Sequence, residues 1–110
     1  MELVTTDGFE ENVVDSDIPV LLDFFATWCA PCKALEGTLK SVESQYEGRV
    51  SFYKVNVDDE MDLAVKFNVS ALPTIVLCEK GEAVDKKIGL ASSSEIVAFI
   101  DAHLESGSEN

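Results

Sequence analysis

The chain has 110 residues, room for one domain, and with 46% hydrophobic and 26% charged residues it has the makeup of a globular protein with its own core. Eight Lys and Arg against 21 Asp and Glu give a formal net charge of −13, which argues against nucleic acid and against anionic membrane surfaces, since both call for a basic face. Three cysteines are too few for a secreted disulfide scaffold, no basic region followed by an apolar run opens the chain, and no stretch reaches the length of a membrane span, so a reducing cytoplasm is the expected setting.

Residues 2–4 read as a short edge strand. Asp7 is placed to cap a helix ending near Val14, with Glu10 three residues on as in a capping box and Phe9 and Val13 as its inward stripe. Ser16, Asp17 and Pro19 break the chain. Residues 20–26 are apolar on both alternations apart from Asp23, as in a strand covered on both faces. A helix follows over residues 31–46, with Leu35, Leu39, Val42 and Tyr46 on one face and Pro31 in the first turn, where a missing N–H costs little. Gly37 inside it weakens or bends the helix by about 1 kcal/mol relative to Ala. Residues 50–57, rich in β-branched and aromatic side chains, read as a strand. Asp58 and Asp59 end it and offer an N-cap for a helix over 60–67, which Asn68 terminates in the left-handed conformation. Residues 74–78 form another strand, entered through Leu72 and Pro73. Lys80, Gly81 and Glu82 read as a hairpin turn into a partner strand over 83–88, and Gly89 as a bulge or a close backbone approach. Ser92 and Glu95 make a capping box for a last helix whose inner face carries Ile96, Phe99, Ile100, His103 and Leu104. Residues 106–110 read as a short flexible polar tail beyond a domain of residues 1–105. Strands alternating with helices predict an α/β domain, a mixed sheet with helices on both faces.

The chemistry concentrates in Trp28-Cys29-Ala30-Pro31-Cys32-Lys33, where the central strand hands over to a helix. Unpaired N–H groups and the helix dipole favour a thiolate there, and two cysteines three positions apart beside a β-α-β pattern read as a redox pair. Cys29, nearer the helix start, is the expected nucleophile, and Cys32 the residue that resolves the mixed disulfide. Three readings compete. A structural staple this small gives only roughly 2 kcal/mol by loop entropy. Zinc would need Cys78 and His103 to complete four ligands, with a Pro between two of them. The pair can also be two inert small hydrophobes. The redox reading is favoured.

Asp23 lies six residues before Cys29 in an apolar strand, where a carboxylate is expensive unless protonated or paired. Burial that raises its pKa makes it a candidate to take the Cys32 proton; the other reading is a carboxylate at a strand kink satisfied by backbone N–H groups. Lys54, on the neighbouring strand, is either aimed at Asp23 or an edge lysine with its stem buried. Pro73 either simply starts its strand or, through a cis bond, turns the Leu72 backbone toward the disulfide. Trp28 either shields the thiolate and rims a partner site or packs half-buried beside the turn. Cys78 reads as a buried strand hydrophobe rather than a sensor thiol, and His103 as a packing or surface residue.

The ordered set of residues 20–29, Pro31-Cys32-Lys33, Lys54-Val55-Asn56-Val57-Asp58, Leu72-Pro73-Thr74, Lys80-Gly81-Glu82 and Ile88-Gly89 closely resembles the thioredoxin family over nearly the whole chain. The resemblance implies the thioredoxin fold, a five-stranded mixed sheet with four flanking helices in three α/β/α layers. It implies a general protein-disulfide reductase, a monomer with no bound cofactor or metal, recharged by a thioredoxin reductase and acting on client proteins with disulfides. Cys29 would attack and Cys32 resolve, with Asp23 and Lys54 handling the proton and the bond before Pro73 cis. Trp28, Ala30, Pro31, Ala71, Leu72, Pro73, Gly89 and Leu90 would form the client-binding surface, where an extended segment pairs with the Leu72 backbone.

Three residues depart from the family pattern. Ala30 replaces a usual Gly between the first cysteine and the proline and is expected to shift the potential modestly, on a scale where 30 mV is about 1.4 kcal/mol. Gly37 replaces a kinking Pro, and Ala71 a common Gly in the groove. Two rival functions remain. A thiol oxidase or isomerase of the disulfide-isomerase kind would keep the pair oxidised, but a His before Cys32 favours that and Pro31 favours reduction. The other is a non-catalytic thioredoxin-like adaptor.

Overall fold

A computed structural model describes the backbone of residues 1–108 and the side chains of residues 1–104. Its centre is β2 (Val20–Phe25), whose first five residues are fully buried, as a strand apolar on both alternations requires. β3 (Ser51–Asn56) lies parallel to it and β4 (Thr74–Glu79) antiparallel, so that Asp23 stands opposite Lys54 on one side and Ile75 on the other. A two-residue β1 (Glu2–Leu3) pairs parallel with β3, and β5 (Glu82–Ile88) antiparallel with β4. The order β1-β3-β2-β4-β5 makes a mixed sheet of five strands.

Alternation along β2 sorts the two cores. Leu21 joins Leu35, Leu39 and Val42 of α1 (Ala30–Glu43) and Ile96 and Ile100 of α3 (Ser93–Ser108). Val20, Leu22 and Phe24 face the other way, onto Val13 of a short π-helical segment (Glu10–Val14) and Leu63 of α2 (Met61–Lys66). Helices therefore cover both faces, in the three layers expected. A 3₁₀ turn (Ser44–Tyr46) extends α1 and brings Tyr46 into the core, its hydroxyl donating to Asp101 at 2.8 Å.

The last helix starts as the capping box dictates: Ser92 N–H donates to Glu95 Oε1 at 2.8 Å and Glu95 N–H to Ser92 Oγ at 3.2 Å. Its backbone is traced to Ser108; the expected tail, 106–110, otherwise lies outside the described residues. The hairpin turn has Lys80 at φ 54° and Gly81 at φ 85°, both left-handed as a two-residue turn of this kind needs. Asn68 terminates α2 at φ 56°.

Both acidic caps are corrected by the structure. Asp7 does not cap the first helical segment; the Gly8 N–H donates to the Thr5 hydroxyl at 3.1 Å instead. Neither Asp58 nor Asp59 caps α2. Glu60 occupies the cap position without a side-chain cap bond, its carboxylate reaching across to the Thr6 N–H at 2.9 Å and the Thr6 hydroxyl at 3.0 Å. Gly89 is not the bulge. The register irregularity sits at Leu77 and Cys78, while Gly89, at φ 97°, donates its N–H to the Pro73 carbonyl at 2.8 Å.

Candidate active site

β2 ends at Phe25, and Ala26-Thr27-Trp28 carry the chain to Cys29, whose N–H donates back to the Ala26 carbonyl at 3.2 Å. Cys29 is the N-cap residue of α1, in extended conformation, and Ala30 and Pro31 open the helix. The proline falls where its missing N–H leaves no partner wanting. Cys29 and Cys32 are joined in a disulfide with Cα atoms 5.3 Å apart. The Cys32 N–H donates to Cys29 Sγ at 3.3 Å, so the first sulfur already accepts one of the free donors of the helix tip. Cys32 looks inward with Leu35 and Leu39 and is 2% exposed; Cys29 is 6% exposed.

The two sulfurs face different surroundings. Cys29 borders an apolar groove of about 510 Å³ with Trp28, Ala30, Pro31, Ala71 and Leu72, floored by Val57, Ala64, Val69 and Ser70. Cys32 borders a separate hollow of about 270 Å³ with Phe25, Ala26, Thr27, Lys33 and Glu36. The bond between Leu72 and Pro73 is cis, and Leu72 packs against Ala26, Cys29 and Cys32. Five of the eight residues expected to bind clients thus lie on one groove. Pro73 is buried beneath it, and Gly89 is tied to the Pro73 carbonyl. Leu90 is 59% exposed and lines a neighbouring hollow with Ala34 and Thr38.

Trp28 is not half-buried. It is 71% exposed and held on edge by its indole N–H, which donates to Asp58 Oδ2 at 2.9 Å. Asp58 escaped sequence reasoning as a partner for Trp28. The signal was indirect: β3 runs parallel to β2 with Phe25 opposite Asn56, so the residues after both strands meet at the same end of the sheet.

Asp23 is fully buried on the β2 face that packs on α1, the helix whose inner side carries Cys32. Among the described residues neither carboxylate oxygen has a hydrogen-bond partner, so the kinked, backbone-satisfied reading does not hold. Burial pushes its pKa from 3.8 up to about 7; the Glu36 charge adds to the rise and Lys54 opposes it. Lys54 stands beside Asp23 in register, yet its ammonium donates to Glu36 Oε2 at 2.8 Å and lies over the Phe25 ring at 5.5 Å. Lys40 approaches the same oxygen at 3.7 Å. The hydrogen bond from Lys54 holds the Glu36 carboxyl below the usual range. Glu36 was missed in the sequence, although it stands one helical turn after Cys32, on the same side, and four residues before Lys40.

Cys78 and His103 are nowhere near the pair as ligands. Cys78 is buried in the core on the opposite face of the sheet, at the far end of β2 opposite Val20, and burial pushes its thiol up to about 12. His103 meets Asp85 on β5 at 2.9 Å. Among the described residues no group of His, Cys, Asp or Glu is placed to hold a metal ion, and no helix is long and apolar enough to cross a membrane.

A cysteine pair at a helix tip, beside a groove open to an incoming chain, can attack a disulfide as its dithiol and be attacked by a thiolate as its disulfide; the fold and the site define a dithiol–disulfide oxidoreductase. The Thioredoxin family model matches residues 1–102. The sequence is 40% identical over 100 residues to Thioredoxin C-2 of Corynebacterium nephridii, covering 91% of this chain and 93% of that protein. It is 38% identical over 101 residues to Thioredoxin of Pseudomonas aeruginosa, covering 92% and 94%. It is 41% identical over 92 residues to the mitochondrial thioredoxin of Bos taurus, covering 84% of this chain and 55% of that longer protein. The chain belongs to the thioredoxin family and is a protein-disulfide reductase of the thioredoxin type.

Proposed function

We propose that the chain is a general reductant of client disulfides in which Cys29 attacks and Cys32 resolves. The observation that carries this division is the split environment of the pair: Cys29 caps the helix on the client groove, and Cys32 lies on the inner side of the helix, away from that groove and beside a separate small hollow. In the reduced protein the Cys29 thiolate attacks a client sulfur, forming a mixed disulfide and releasing one client thiolate, which takes a proton from water. Asp23, poised near neutrality, then accepts the Cys32 proton. The Cys32 thiolate attacks Cys29 Sγ, the Cys29–Cys32 disulfide forms, and the second client thiolate leaves and is protonated as Asp23 returns its proton to solvent. Trp28, Ala30, Pro31, Ala71 and Leu72 hold the client as an extended segment against the Leu72 backbone. A thioredoxin reductase returns two electrons to the disulfide, and the protein acts as a monomer in a reducing cytoplasm without a bound cofactor.

The test is alkylation of the reduced protein against pH, with mass analysis of the labelled residue. Cys29 is expected to react from well below the ordinary thiol pKa of about 8.5, and Cys32 only above it. Cys29 unreactive until well above neutrality overturns the assignment. Insulin reduction with a reductase system separates the adaptor, which would be inactive, and a potential measured against glutathione separates an oxidase, which would be strongly oxidising.

A further inference from the structure

The in-register placement of Lys54 beside Asp23 would ordinarily make a buried ion pair, since an unpaired carboxylate in a core is costly and the ammonium is on the adjacent strand. The side chains do otherwise. Lys54 Nζ is 2.8 Å from Glu36 Oε2, and both side chains are only 22% exposed. Both Asp23 oxygens lack a partner among the described residues. The groups facing Asp23 are Lys54 from β3 and Glu36 from α1, with Lys40 behind Glu36 and Cys32 on the inner face of the same helix; β4 presents Ile75. Glu36 also lines the hollow beside Cys32.

We propose that Glu36 is a positioning residue for the proton step: by gripping Lys54 at the edge of the hollow beside Cys32, it keeps the ammonium from closing onto Asp23 and leaves that carboxyl free to accept a proton. Two effects run in the same direction. The grip holds a cation away from Asp23, and the Glu36 charge itself opposes a second anion nearby. Burial is the main reason Asp23 resists becoming a fixed anion, and both effects add to it. The inference rests on Asp23 serving as the base, but its test reads the carboxyl itself.

The experiment is carbon NMR titration of the Asp23 carboxyl in the oxidised full-length protein, in wild type, Glu36→Ala, Glu36→Gln, Lys40→Met, Lys54→Met and the Glu36→Ala/Lys54→Met pair. Glu36→Ala is expected to lower the Asp23 midpoint by about one unit, a tenfold fall in proton affinity, and Glu36→Gln by less because the amide still accepts from Lys54. Lys40→Met, which leaves the grip in place, is expected to change it little. In the Lys54→Met background the effect of Glu36→Ala is expected to shrink by half or more. A Glu36→Ala midpoint within about 0.3 units of wild type overturns the proposal, as does an undiminished shift in the Lys54→Met background, which would make Glu36 a direct repulsive charge and not a holder of Lys54. The parallel kinetic readout is the pH profile of mixed-disulfide resolution, whose midpoint should move with the carboxyl. If Asp23→Asn leaves resolution unchanged, the base assignment fails while the titration still decides the role of Glu36.

Discussion

Asp23→Asn isolates the cost of keeping an ionisable group under the active site. The native carboxyl titrates at about 7 against an ordinary 3.8, roughly three units, and at about 1.4 kcal/mol per unit the buried anion costs on the order of 4 kcal/mol. The native pKa lies above the unfolded one, so between the two values the folded state binds more protons than the unfolded chain. Stability therefore falls as pH rises through this window, and the full cost is present above neutrality. Asparagine keeps the shape and never ionises. Its own unsatisfied amide is a pH-independent cost, so the difference between two pH values reads only the ionisation. Between about pH 5 and about pH 8.5 some two of the three units are realised, and the stability of Asp23→Asn relative to wild type should rise by ~3 kcal/mol. Urea unfolding of the oxidised proteins, followed by circular dichroism at the two pH values, measures it; the other carboxylates are common to both proteins and cancel. A relative stability that changes by less than ~1 kcal/mol across that range would mean that Asp23 is hydrated or paired in solution, and the reasoning about the proton step would go with it.

Gly37 sits in the middle of α1, exposed, and a Cβ there meets nothing within 4 Å, so Gly37→Ala should stabilise the protein by about 0.5–1 kcal/mol in urea unfolding. Gly81→Ala should do the opposite by at least ~1 kcal/mol, because Gly81 has φ 85° and its Cβ would come within 2.7 Å of Val14 Cγ2. With its thiol pushed up to about 12, Cys78 should resist alkylation at pH 8 in the folded reduced protein and react only on unfolding, so that its label appears only in denaturant. Three thiols reacting under native conditions would place Cys78 at the surface.

Elements whose signals are local were legible in the sequence. The two-sided apolar run of β2, the reciprocal pair Ser92 and Glu95, and Asn68 and Gly81 in left-handed turns all depend on neighbours within a few positions. The redox pair and the burial of Asp23 were legible for the same reason, since a helix tip and an acid inside an apolar strand are both written in consecutive residues. What escaped were choices made between distant groups. Asp7 and Asp58 have good cap chemistry, but Thr5 reached the first orphan N–H and Glu60 was drawn 54 residues away to Thr6. Asp58 was taken by the Trp28 indole. Local propensity sets which caps are possible, and the packing of β1 against β3 decides which one is used.

The Lys54–Glu36 pair shows the same limit at the site itself. Strand register places Lys54 next to Asp23, and with only the sheet in view the lysine belongs to the aspartate. The rotation of α1 that buries Cys32, Leu35 and Leu39 also brings Glu36 to the side of the sheet where Lys54 emerges. Pairing there takes the ammonium to a partly exposed carboxylate instead of a buried one. Electrostatics favours that outcome: Asp23 deep in the core would have to be desolvated as an anion to hold the lysine, whereas Glu36 keeps water on part of its surface and shares Lys40 as well. The helix that carries both cysteines thus also sets the charge environment of the carboxyl below them, so sulfur position and proton affinity are fixed by the seating of one element on one sheet. A change that rotates α1 should therefore alter the thiol reactivity and the Asp23 titration together.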